Sequence, residues 1–135
     1  MQHFVELAHL LAAEGRIPVL VGLAPLEGIA GQVCESCPTA VDLTGRTSVG
    51  DLIFLTWAAS AALGPDNGIM HVTAVAGCPS VVLYDLASDP ALVGQRGDAV
   101  TIDAVTILRR NQLADVPVGE AMAALQRSRR ERARP

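Results

Sequence analysis

The chain has 135 residues, half of them apolar and only 3% aromatic, which supports one domain with a core built mainly of Ala, Val, Leu and Ile and excludes a disordered chain. Its net charge of −4 is uneven: residues 127–135 hold five arginines and one glutamate, while residues 1–126 hold five arginines against thirteen acids, net −8. An acidic body with four aromatic residues suits neither duplex nor single-stranded nucleic acid, and the absence of lysine excludes a Walker-type phosphate loop and Schiff-base chemistry.

Phe4, Leu7, Ala8 and Leu11 recur at helical spacing, so a helix is predicted from Phe4 to Ala13, stopped at Gly15. Met1 to Glu14 lacks a basic start and carries acidic residues, and the longest nearly apolar run, 52–63, is too short to span a bilayer. A cytoplasmic location without a transmembrane segment is expected. Ile17 to Leu23 reads as a parallel strand buried on both faces. A helix from about Glu27 to Cys34 and a short strand from Ala40 to Leu43 follow.

Thr44 to Ser48 is loop chemistry, and Ser48 with Asp51 forms a capping pair for a helix over 49–60. A third strand is predicted around Ala61 to Gly64. It leads through a Gly-Pro-Asp-Asn turn into a helix from Gly68 to about Ala76, closed by Gly77. Pro79 to Tyr84 is a buried strand, Val100 to Ile102 a last short strand, and Gly119 to about Arg132 a C-terminal helix. Strands alternating with helices at these intervals give right-handed βαβ units and an open parallel sheet, with ligands at the carboxyl ends of the strands. The chain opens on a helix with no strand before it, so a truncated start, lacking the first strand of a single domain over 1–135, is expected.

The stretch from Leu63 to Val72 carries the clearest chemistry. A helix begins with backbone N–H groups that have no partner inside it and with a partial positive charge, an arrangement that suits phosphate. Asp66 or Asn67 is positioned to cap this helix. Gly68 has no Cβ to hold a ligand away, and His71 lies about one turn further on. The stretch therefore reads either as a diphosphate grip or as an ordinary capped helix with a half-buried histidine.

Two other patterns point less far. Cys34-Glu35-Ser36-Cys37 has redox or zinc spacing, but Cys78 is the only further cysteine, and the pair falls at a helix end rather than at the N-terminus that would stabilise a thiolate. A structural role is expected, with no metal and no cofactor. The arginine-rich end reads as a solvated helix terminus favoured by the dipole, or as a contact for an anionic surface. No G-x-G-x-x-G or G-x-S-x-G occurs, which removes the common dinucleotide and hydrolase motifs.

The run D-L-T-G-R-T-S at Asp42 to Ser48, followed by G-P-D-N-G-I-M-H-V-T-A-V-A-G-C-P-S-V-V-L-Y at Gly64 to Tyr84, resembles the C-terminal half of glycosyltransferase family 9, the ADP-heptose:lipopolysaccharide heptosyltransferases. The resemblance covers roughly Phe4 to Gly97 and implies the Rossmann-like donor domain of a GT-B enzyme. It implies that Asp66, Asn67, Gly68, Ile69 and His71 hold the diphosphate and adjacent sugar of ADP-heptose or a similar nucleotide sugar. The backbone at Thr47 would lie near the adenine, and Glu27 near the ribose. Asn67 departs from the usual Ser or Thr, and Leu86-Ala87-Ser88 from Gly-Pro-Thr. The family also has a lysine-bearing loop and a whole N-terminal acceptor domain, with its carboxylate base, before the segment at Phe4.

The complete enzyme is expected to transfer the sugar with inversion to a lipopolysaccharide core acceptor, in the cytoplasm or peripherally at the inner membrane. This chain alone is expected to be inactive. The other reading is a non-catalytic nucleotide-sugar binding module or remnant.

Overall fold

A computed structural model describes residues 2–22, 27–65, 67–84, 105–109 and 116–133. These residues form helices and parallel strands that fall into two compact units, residues 1–48 and 49–135.

The first unit contains α1 (Gln2–Ala13), β1 (Val19–Leu20), α2 (Glu27–Ser36) and β2 (Val41–Asp42). Helix α1 is followed by a turn at Gly15, whose φ of 75° is the left-handed conformation that a side chain would disfavour. Strands β1 and β2 pair in parallel, Val19 with Val41 and Leu20 with Asp42. The pairing extends at both ends through Val41 N–H to Pro18 O (2.8 Å), Leu43 N–H to Leu20 O (2.9 Å) and Gly45 N–H to Gly22 O (2.8 Å). Ala8, Val33 and Cys37 form the buried centre, with Val5, Ala12, Leu20 and Ala40 packed on it.

The expectation that 17–23 is a strand buried on both faces is corrected here. Of its described residues, 17–22, only Val19 and Leu20 are strand, and Ile17 and Val19 are 67% and 40% exposed. Among the described residues β1 is paired only with β2, so its apolar side chains lack the cover that a central strand receives.

The second unit contains α3 (Val49–Ala58), β3 (Ala62–Pro65), α4 (Gly68–Val75), β4 (Ser80–Tyr84), β5 (Val105–Arg109) and α5 (Val118–Ala133). Its strands are all parallel in the order β3-β4-β5, with Gly64 opposite Val82 and Val82 opposite Ile107. All five residues of central β4 are buried, which is why an uninterrupted apolar run is stable there. Helix α5 packs on β4 and β5 and buries Val118, Ala121, Met122, Leu125 and Ser128, a stripe at helical spacing.

Strand β5 was not among the predicted elements. The strand expected at Val100 to Ile102 lies outside the described residues, as does the loop at Leu86 to Pro90.

Candidate functional site

Strand β3 delivers the chain directly to the start of α4, so the N-terminus of this helix lies at the carboxyl end of a parallel strand, where open α/β sheets bind their ligands. Asp66, the connecting residue, lies outside the described residues. Asn67 is the N-cap, with extended backbone (φ −158°, ψ 177°), and its Oδ1 accepts the Met70 N–H at 3.1 Å. The His71 N–H reaches the Asn67 carbonyl at 3.3 Å. With the third amide of the helix taken by the cap, helix geometry leaves those of Gly68 and Ile69 without an acceptor inside the helix.

The inner side of α4 fixes where this end points. Met70 is buried with Val82 and Tyr84, and the half-buried Ala62 packs against them. Gly64 makes room for it: a Cβ at that position would come within 3.0 Å of the Met70 sulfur. At the other end the Thr73 hydroxyl donates to the Met70 carbonyl (2.8 Å) and lies 3.2 Å from the Ser80 hydroxyl, which donates to the Cys78 carbonyl (2.8 Å). Helix α4 is thus tied to the first residue of β4, and Gly77, with φ 77°, makes the turn between them.

The outer side is different in kind. Asn67 and Gly68 are exposed, and Ile69 and His71 are half-buried. Nothing lies within 4 Å of a Cβ built at Gly68, and its φ is not in the left-handed region. Neither backbone conformation nor packing within the described residues calls for glycine there.

Thr47 and Glu27 belong to the first unit. Thr47 is half-buried and follows a turn that the sequence reading did not identify as built. The Asp42 carboxylate accepts both the Thr44 N–H (2.9 Å) and the Thr44 hydroxyl (2.6 Å), and Gly45 follows with φ 70°. The Thr44 hydroxyl foremost, then its amide, with Arg46 adding to them, hold the Asp42 carboxyl below the usual carboxylate range. Glu27 is the first residue of α2.

The cysteine pair is part of the packing. Cys37 is buried, with its Sγ directed to the Ala8 carbonyl (3.8 Å) and the Thr39 hydroxyl (3.5 Å), and the Cys34 Sγ is directed to the Ala40 carbonyl (3.7 Å). Burial first, then the negative charge of Asp42 and the neighbouring Cys37, push the Cys34 thiol up, away from the thiolate that redox chemistry needs. Among the described residues no group of three or more His, Cys, Asp or Glu could hold a metal, and no helix is long and apolar enough to cross a membrane.

Parallel strands with helices between them define an open-sheet α/β protein, the class in which a helix N-terminus at a strand's carboxyl end is the usual position for a ligand. The family model for glycosyltransferase family 9 (heptosyltransferase) matches residues 1–120, and the chain belongs to that family. Lipooligosaccharide heptosyltransferase 2 of Haemophilus influenzae is 28% identical over 105 residues, which cover 74% of this chain and 30% of that protein.

Among solved structures, E. coli ADP-heptose lps heptosyltransferase II superposes with a TM-score of 0.81 at 22% identity, over 98% of this chain and 42% of that one. E. coli heptosyltransferase WaaC with ADP gives 0.81 at 24% identity, over 94% and 38% respectively. The family 9 glycosyl transferase of Veillonella parvula gives 0.80 at 19% identity, over 96% and 41%. The likeness in fold runs through nearly the whole chain, and the chain spans less than half the length of each of these relatives.

Proposed function

We propose that this chain is the donor-binding half of a heptosyltransferase-like glycosyltransferase, and that the N-terminus of α4 holds the diphosphate of ADP-heptose or a closely related nucleotide sugar. Gly68 carries the reading: a glycine that its own backbone and its packing among the described residues do not require, beside a capped and exposed helix end, leaves room for a ligand to reach the amides of Gly68 and Ile69. In the same proposal Asp66 and His71 flank the diphosphate, the backbone at Thr47 meets the adenine, and Glu27 the ribose. During transfer the helix end and His71 stabilise the departing diphosphate. A base from an acceptor domain deprotonates the hydroxyl that displaces ADP, and a lipopolysaccharide core sugar is the acceptor.

Calorimetry with ADP and ADP-heptose tests the site. The parent chain is expected to bind both, and Gly68→Val to weaken binding at least about tenfold (~1.4 kcal/mol) while folding normally. Asp66→Ala and His71→Ala should weaken it as well. Absence of binding by the parent chain would overturn the proposal. Sugar transfer by the chain with no added partner would overturn the assignment of the base to another domain.

A further inference from the structure

Helix α3 turns two of the chain's four aromatic residues outward. Phe54 and Trp57 are 69% and 56% exposed, although a chain of this composition has few aromatic side chains to place and buries Tyr84 completely. Their rings lie edge to face, with centroids 5.5 Å apart and planes at 88°, so each holds the other in place. Leu52 and Thr56 are the buried residues of the helix, and Gly50, Asp51 and Ala58 complete its outward face.

The helix itself does not call for this arrangement. An exposed helical face ordinarily carries charge, yet Asp51 is the only charged residue between Arg46 and Asp66. Aromatic residues also form helices less readily than the straight-chain polar residues that suit such positions.

The face is symmetric about its centre. At about 3.6 residues per turn, positions 50 and 58 lie equally far to either side of Phe54, and so do positions 51 and 57. Two copies of α3 laid antiparallel across one another at Phe54 therefore bring Gly50 of each to Ala58 of the other, small against small, which allows close approach. They also bring Asp51 of each to Trp57 of the other. The indole N–H is a donor only, and a carboxylate accepts more than one bond, so the partner that Asp51 already has within its own chain does not exclude this pairing.

We propose that the outward face of α3 is a contact between two copies of this chain, paired about Phe54. A charged partner would find a single carboxylate to answer on this helix, and an anionic bilayer would find no cation, since no arginine occurs between Arg46 and Arg96. The area sets the strength. A fully buried aromatic side chain covers about 150–250 Å², so two that are more than half exposed, with their small neighbours, supply on the order of 400 Å² from each copy, against roughly 800 Å² per partner in a stable interface. The contact is therefore weak, with a Kd on the order of 100 μM.

Sedimentation equilibrium of the full chain without nucleotide tests this independently of the donor site. The chain should be monomeric at ~5 μM and mostly dimeric at ~1 mM. Phe54→Glu sets two carboxylates against each other at the centre and should weaken association at least about tenfold, with an unchanged far-ultraviolet circular dichroism spectrum. The register has its own readout: under mild oxidation a mixture of Gly50→Cys and Ala58→Cys should form a disulfide-linked pair, while neither variant alone should exceed the parent chain. A chain that stays monomeric at ~1 mM would overturn the proposal and leave the face to a different partner. So would a dimer that Phe54→Glu leaves intact, or mixed cysteine variants that fail to link while the parent chain dimerises.

Discussion

At the scale of single residues, the structure separates residues that internal bonding requires from those that packing among the described residues does not. Asp42 and Gly68 are the two poles. Asp42 lies in a run that resembles a donor-domain motif, yet its carboxylate is spent on the Thr44 amide and hydroxyl, which close the turn after β2. These hydrogen bonds favour the charged form and so depress the folded-state pKa below that of the unfolded chain. The sign of the pH effect follows: this contribution to stability is complete above the ordinary carboxylate range and is lost as pH falls through the depressed value. Thr44→Val keeps the shape and removes the hydroxyl. Its destabilisation should therefore be largest near neutral pH and shrink in acid, and the Asp42 carboxyl resonance should titrate at higher pH than in the parent. A carboxyl resonance unmoved by the substitution would show that the turn does not depend on this bond.

At the scale of elements, α4 joins a structural role and a proposed binding role at one residue, and the two can be pulled apart. Asn67 supplies the cap through Oδ1 to the Met70 amide. Asn67→Ala should cost about 1 kcal/mol of stability and weaken ADP binding as the first turn frays. Asn67→Ser should restore most of both. Asn67→Asp is the informative variant: a carboxylate caps as well and suits the helix dipole, so thermal stability should hold or rise, yet it places a negative charge where the diphosphate is proposed to sit. Denaturation and calorimetry on the same sample should move in opposite directions. Tight ADP binding by this variant would place the phosphates elsewhere.

Most of α4 was legible in the sequence, because its cap, glycines and apolar face agree. The partner that aims it was not: Gly64 is a strand residue whose role, admitting the Met70 side chain, appears only when β3 and α4 are packed. Strand β5 was missed for a more general reason. The pentapeptide Asp-Ala-Val-Thr-Ile occurs twice in succession, at 98–102 and 103–107, so local propensity cannot choose between the copies. The second is followed by Leu108 and Arg109, and five consecutive pairs with β4, with Leu108 buried, decide the choice at the level of tertiary packing.

At the scale of the whole molecule, the two units differ in how much of their hydrogen bonding is covered, and exchange of backbone amides should report it. In residues 49–135 the five-residue β4 has a parallel partner on each side and α5 packed on it, and every one of its residues is buried. In residues 1–48 the assigned strands are two residues long, and Val19 and Val41 are 40% and 43% exposed. Opening a strand to solvent costs free energy in proportion to the apolar packing and the paired neighbours it must release. Amides of Val81 to Tyr84 should therefore exchange slowest, near the limit set by global unfolding, while those at Val41 and Leu43, whose bonds run to Pro18 and Leu20, should exchange orders of magnitude faster by local opening. Saturating ADP provides a second reading of the same map. A ligand bound only to the folded state stabilises by RT ln(1 + [L]/Kd), about 2.7 kcal/mol at a hundredfold excess over Kd, and slows every amide that needs global unfolding to exchange by the same factor. The β4 amides should show that full slowing and report that ADP binds the folded chain. Equal exchange rates in β2 and β4 would refute the division of stability drawn here, and β4 amides indifferent to saturating ADP would refute the donor site.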